Sequence, residues 1–416
     1  MNRFAAERPS GRVPSLDGLR GIAALIVVFH HLALLFTPIY AATFAARSPE
    51  AYSEPWSLVW WMTSSPAYLL LAGPESVLIF FVLSGLVVTL PVLNRADFSW
   101  ISYYPQRLAR LYIPAAASVL LALVLRAVAD CFAAEGVGTA VGEGTSWRSV
   151  LNAFDLVSGS FSLNEPLWTL RWEVIFSILL PLFVIVAVAA RTRWVLVAVA
   201  AGIATMMGSF FTELTSFSYL PVFLLGALLA VKFTSIQRWA ADPSRARLVW
   251  WLGLLGFVLS VLTITLHASV VGAFPGKFRL QALAMSVQFV GCVGIVLVAA
   301  FWVPAARALS TKFCQWLGRV SFSLYLVHTP VIVAAYTIIG PGREIVTIGV
   351  ALVVSAILAE MFSRLIEVPS HKLSKLIGTR SAAAMNRWHA RSGETAGASD
   401  ANGHDGSGPL TSKVPV

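Results

Sequence analysis

The chain has 416 residues, of which 57% are hydrophobic and only 12% charged, and its mean hydropathy is +0.77. Soluble domains carry about 25% charged residues, so this balance excludes a water-soluble globular protein and indicates a polytopic membrane protein. The net charge of +10 does not call for nucleic acid, because the basic residues follow a membrane pattern, and Cys131, Cys292 and Cys314 form no CxxC pair that would suggest a disulfide framework or a metal site.

Residues 1–14 are polar and basic and read as a cytoplasmic segment before a retained first helix. A spanning helix needs about 20 mostly apolar residues. Ten runs qualify: Leu16–Phe36, Ser76–Leu93, Leu111–Val128, Leu167–Ala190, Trp194–Phe211, Leu214–Val231, Leu248–His267, Leu280–Val303, Val320–Ile339 and Ile345–Ile366. The predicted fold is an all-α bundle of about ten transmembrane helices occupying residues 15–377. Ten spans put both termini on one side, and lysine and arginine choose the side. Arg3, Arg8, Arg12, Arg107, Arg110, Lys232, Arg238, Arg245, Arg247 and the basic C-terminal residues all fall inside when the N-terminus is cytoplasmic. Two outer segments are long, Thr37–Glu75 with Trp56, Trp60 and Trp61, and Ala129–Pro166, which is acidic and Gly-rich. Loops of this length are often functional, but a mobile outer cap explains either one equally well. From 378 to 416 apolar periodicity is lost, and a disordered cytoplasmic tail is expected. No internal repeat, Walker motif or Rossmann glycine pattern is present.

Ionisable groups inside an apolar span are functional candidates by default. The first span carries Asp17, Arg20, His30 and His31. On a helix, Arg20 and His31 lie within roughly 20° of one face and about 16 Å apart along the axis, with Asp17 about 40° away and His30 rotated by about 80°. A neutral imidazole can take a proton from a hydroxyl near neutral pH. His31 therefore reads as a general base; the competing reading is a packing histidine, and Arg20 on the same face favours the base. Arg107 and Arg110 share a helix face and could grip phosphates by forked hydrogen bonds. Taken alone they read better as ordinary inner-face anchors.

Glu173 is expected at the outer end of the fourth span, where it would orient a histidine or a sugar hydroxyl; the alternative is an ion pair with Arg171. His328 lies in mid-span two residues before Pro330, and reads equally as a chemical group or as a partner for carbonyls that the proline frees. Ser84 sits in a Ser-Gly pair that suits close helix packing. Glu360 with Arg364, and Glu367 with Pro369, read as structural.

The ordered set of motifs resembles the membrane-bound acyltransferase family three. Arg20, ten residues and His31 match its first-helix pattern. Phe80-Phe-Val-Leu-Ser-Gly85 matches the second helix and Arg107-x-x-Arg110 the third. Trp168-Thr-Leu-Arg-Trp-Glu173, Ser323-Leu-Tyr-Leu-Val-His328 and Glu367-Val-Pro369 match later motifs. Thr169 stands where the family usually has serine, and Arg171-Trp172 where it has a small residue and valine.

The resemblance implies an integral membrane enzyme of the cell membrane that transfers an acyl group, usually acetyl, to a sugar hydroxyl of a surface glycan, glycolipid or glycosylated metabolite. It implies acyl-CoA as donor, with acetyl-CoA expected, and no metal. The catalytic residues would be His31 and Glu173, the donor-binding residues Arg20, Arg107 and Arg110. Asp17, Ser84, Trp168, Tyr325 and His328 are further candidates for the substrate site. The expected partners are acyl-CoA, a sugar-containing acceptor and the bilayer, with no nucleic acid. A transporter or exporter of a lipid-linked sugar is the alternative, because mid-span histidines and arginines also suit a proton-coupled pathway. Transporters commonly carry internal repeats, which this sequence lacks.

Overall fold

The computed structural model describes residues 13–44, 56–96, 98–134, 147–159, 161–189, 219–274 and 276–401, with isolated positions between 193 and 203. Within these residues the chain is helical and contains no strand. The long helices are α1 (Pro14–Ala33), α2 (Gly73–Asn94), α3 (Trp100–Cys131), α4 (Leu167–Ala189), α5 (Leu220–Ala240), α6 (Ala246–Ala273), α7 (Phe278–Phe301), α8 (Lys312–Ile339), α9 (Glu344–Phe362) and α10 (Val368–Ala401). Among the described residues nine helical segments are long and apolar enough to cross a bilayer. The last of them joins α9 to the start of α10 through a π-helical turn, Ser363–Glu367. The predicted run Trp194–Phe211 lies largely outside the described residues. The protein is an all-α polytopic membrane protein. Exposed Leu120, Val124, Leu182, Ile185, Val353 and Ile357 form faces that water would not tolerate and lipid does.

Helix is recorded through Ala401, well past Gly378, where the sequence suggests a disordered tail. Ala382 to Ala384, Met385 and Arg387 are good helix formers, and that propensity carries the helix on without an apolar face. Its first turns are anchored: a Cβ on Gly378 would meet Ser102 O at 2.7 Å, so α10 lies directly on the start of α3.

The second outer segment does not stay outside the bundle. Asn164 is buried, and its Nδ2 donates to Ser118 Oγ of α3 (3.1 Å) and to Leu326 O of α8 (2.9 Å). α4 therefore begins at the level of Ser118, well inside the 32-residue α3. Arg171 secures the approach by donating to Gly159 O (2.9 Å) and lying over the Phe161 ring (4.6 Å). Nearby, the Ser158 hydroxyl and the Ser158 and Val157 amides donate to Asp155 and hold its carboxyl below its ordinary value. That stabilisation is present at neutral pH and is lost as pH falls through the depressed value.

α1 and α8 run parallel and very close. A Cβ on Gly21 would lie 2.5 Å from Gly318 N, and one on Gly318 would lie 2.3 Å from Asp17 O. Small residues let helix backbones approach in this way. The contact sets the register that brings His31 of α1 to His328 of α8. A side chain at either glycine must push the helices apart, and overpacking of this kind costs about 1–3 kcal/mol. Gly21→Val and Gly318→Val should each lower the thermal midpoint of the purified protein. Gly349→Val, where an added Cβ meets nothing within 4 Å, should leave it unchanged in the same melting experiment.

Candidate active site

α1, α2, α3, α4, α8 and the π-helical turn enclose a cavity of about 670 Å³. Arg20, Arg107 and Arg110 line it, as the sequence suggested, together with Asp17, Ser84, Glu173 and Tyr325. Arg95 and Arg319 line it as well, so five guanidinium groups face one space.

The arginines are not equivalent. Arg107 is already committed: Nε donates to Ser177 Oγ (3.1 Å), and Nη2 donates to Ser84 Oγ (3.3 Å) and to Glu173 Oε2 (3.1 Å). Arg20 and Arg110 make no hydrogen bond or ion pair within the described residues. Arg110 is exposed and Arg20 half-buried. A guanidinium group with open donors in a sheltered cavity is suited to an anionic ligand.

Glu173 departs from its expected position at the outer end of its span, and the alternative reading, an ion pair with Arg171, is not what the structure holds. Because α4 starts inside the bundle, Glu173 instead sits beside Arg107, in the same cavity as the other arginines. α3 and α4 run antiparallel there, with Tyr103 donating from its hydroxyl to Ser177 O (3.4 Å) one turn beyond the ion pair. Arg171 points away to Gly159 and Phe161.

His31 and His328 form a second layer behind the cavity and do not line it. His328 Nε2 is 3.3 Å from His31 Nδ1. The Tyr325 ring separates this pair from the arginines, with its centroid 5.8 Å from His328 and 5.7 Å from Phe80. The Tyr325 hydroxyl is 3.0 Å from Thr169 Oγ1, whose own proton goes to Pro166 O (2.9 Å). The Tyr325 hydroxyl also reaches Pro166 O (3.4 Å), and these contacts hold the ring as the floor of the cavity. Trp168 does not reach the cavity; it packs on Tyr219 with centroids 5.3 Å apart. His30 is buried, and its Nδ1 donates to Leu71 O (2.8 Å), consistent with a structural role.

Two carboxylates were missed by sequence reasoning. Glu367 reads in the sequence as the end of a helix, yet it lines the cavity and accepts from the Ser323 hydroxyl (2.5 Å). Its signal is the π-helical turn, a feature frequent at functional sites but invisible in an apolar profile. Glu75 falls just before the predicted second span. It is buried in the first turn of α2, accepting from the Tyr68 hydroxyl (3.1 Å) and Gln288 Nε2 (2.8 Å).

The structure is thus a helical membrane bundle with a cationic cavity that ends on an aromatic floor, with a histidine pair behind it. The family described as an acyltransferase domain matches residues 13–363, and the chain belongs to this acyltransferase family three. Similar proteins include the putative peptidoglycan O-acetyltransferase YrhL of Bacillus subtilis (strain 168), 25% identical over 393 residues, which cover 86% of this chain and 54% of that protein. The peptidoglycan O-acetyltransferase OatA of Listeria monocytogenes is 25% identical over 403 residues, 86% of this chain and 56% of OatA. The O-acetyltransferase PaAT-1 of Phomopsis amygdali is 25% identical over 374 residues, 76% of this chain and 71% of PaAT-1. The chain thus spans about half the length of the two bacterial relatives. No solved structure matches it.

The Arg107–Glu173 pair has side chains 13% and 23% exposed, so solvent screens it only in part. A double-mutant cycle of Arg107→Ala and Glu173→Ala, read by unfolding in detergent, should give a coupling of about 1–2 kcal/mol. Arg110→Ala, which breaks no hydrogen bond or ion pair among the described residues, should leave the unfolding midpoint near wild type.

Proposed function

We propose that the protein is a membrane O-acyltransferase that moves an acetyl group from acetyl-CoA to a sugar hydroxyl of a surface glycan or glycosylated metabolite. The donor enters from the cytoplasmic side, and its phosphates rest on Arg20 and Arg110, whose guanidinium groups are uncommitted. Arg107 holds Glu173 in position rather than binding the donor alone. His31 is the general base. It accepts the proton of the acceptor hydroxyl, the oxygen attacks the thioester carbonyl, and the carbon–sulfur bond breaks. The thiolate takes the proton back from the imidazolium, which releases CoA thiol and the ester.

The observation that carries this reading is the arrangement of two uncommitted arginines in one cavity that ends one aromatic layer from the histidine pair. It offers an anion site and a base on one line through the bundle. The inner-face bias of the basic residues sets the direction of entry. The names of the bacterial relatives, peptidoglycan O-acetyltransferases, support a glycan as acceptor.

The test uses purified protein in detergent with labelled acetyl-CoA and a sugar acceptor. Loss of a general base lowers the rate by about 10²–10⁴-fold, and His31→Ala should show such a loss while eluting as folded protein. Losing a charge-assisted hydrogen bond of about 1.5–3 kcal/mol should raise the KM for acetyl-CoA about 10–100-fold in Arg110→Ala. Near-normal transfer in His31→Ala would remove the base assignment. An unchanged KM in Arg110→Ala would remove the donor site.

A further inference from the structure

The two nitrogens of His31 are not used alike. Nδ1 of His328 lies 3.1 Å from Leu324 O. A carbonyl only accepts, so this nitrogen carries the proton and Nε2 presents a lone pair. The Thr329 hydroxyl lies 3.1 Å from the same Nε2. His31 Nδ1 lies 2.9 Å from Val27 O, so it also carries its proton. The same N–H is directed at His328 Nε2, 3.3 Å away. Among the described residues every hydrogen bond of the His31 ring falls on Nδ1, which leaves Nε2 with the lone pair.

The structural reading of His328 was that it satisfies a carbonyl freed by Pro330. A proline leaves the carbonyl four residues earlier without its helical partner, here Leu326 O. That oxygen is taken by Asn164 Nδ2 (2.9 Å), so His328 is not needed for it. His328 is fully buried while His31 is half-buried, which is the order expected of a fixed support behind a working group.

We propose that His328 is a positioning residue that shares the Nδ1–H of His31 with the Val27 carbonyl, orients Nε2 as the base, and stabilises the imidazolium formed during transfer. This rests on His31 being the base. When Nε2 takes a proton, the Nδ1–H bond to His328 becomes charge-assisted, and such bonds are about twice as strong as neutral ones. An acceptor behind the base serves the purpose that a carboxylate serves in a hydrolase triad, without placing an anion in the bundle.

Two measurements test it on the full-length protein. In transfer assays, His328→Leu should lower kcat on the order of 10²-fold, the scale of a misplaced catalytic group, with the KM for acetyl-CoA unchanged. His328→Gln, whose amide oxygen can accept from Nδ1–H, should recover most of the loss. Folded His328→Leu with wild-type kcat, alongside inactive His31→Ala, overturns the role of His328 and spares the function. Near-normal transfer by His31→Ala removes the base assignment on which this role rests, and leaves the transfer reaction itself standing. Independently of any substitution at 328, solid-state ¹⁵N spectra of histidine-labelled protein in lipid should show His31 protonated at Nδ1, assigned by difference with His31→Ala. A resonance pattern with the proton on Nε2 overturns the proposal even if His328→Leu does not fold.

Discussion

The close parallel contact of α1 and α8 is the constraint on which the rest of the site depends. Gly21 and Gly318 allow the backbones to meet where any side chain would collide. In a membrane, helices gain little from excluding lipid tails, so such small-residue contacts set their spacing and register. Because the contact is parallel and fixed at its glycine end, His31 and His328 arrive side by side about three turns further on along both helices. Loosening it would separate the two imidazoles before it unfolded the bundle.

The cavity in front of that pair separates two tasks that the sequence could not tell apart. Arg107 is tied to Glu173, Ser84 and Ser177, and so serves to join α2, α3 and α4. Arg20 and Arg110 keep their donors open toward the same space. A buried charge is tolerated when it is paired, and an open one is tolerated where solvent or an anion can reach it. Arg107 thus holds the walls, while Arg20 and Arg110 keep their donors free for a ligand. Tyr325, held at Thr169, stands on the histidine side of the cavity, and in the proposed reaction an acyl group on its way to His31 would pass this ring.

Much of the fold was legible in the sequence because apolar runs and the placement of lysine and arginine report directly on spans. The motif order also pointed to the family. What escaped was depth. The start of the fourth span looks like any other helix boundary in a hydropathy profile, and only the bonds of Asn164 to Ser118 and Leu326 reveal that it lies inside the bundle. That one offset moves Glu173 from the outer surface to Arg107. Glu367 escaped for a related reason, because a π-helical turn redirects a residue that a regular helix would have left at its end. The helix beyond Gly378 follows from alanine-rich propensity, which outweighs the polar composition that suggested disorder. His31 and Arg20 were legible because face geometry on one helix needs no knowledge of its neighbours, whereas the pairing of His31 with His328 depends on a contact nearly three hundred residues away in sequence.

The central claim is that the arginine cavity receives the donor with its reactive end toward the histidine layer. An experimental structure of the protein with bound CoA tests this most directly. The account predicts phosphates against Arg20 and Arg110 and the thiol end against Phe80 and Tyr325. CoA bound elsewhere, or lying in the cavity with its thiol toward Arg95 and Arg319, would contradict it.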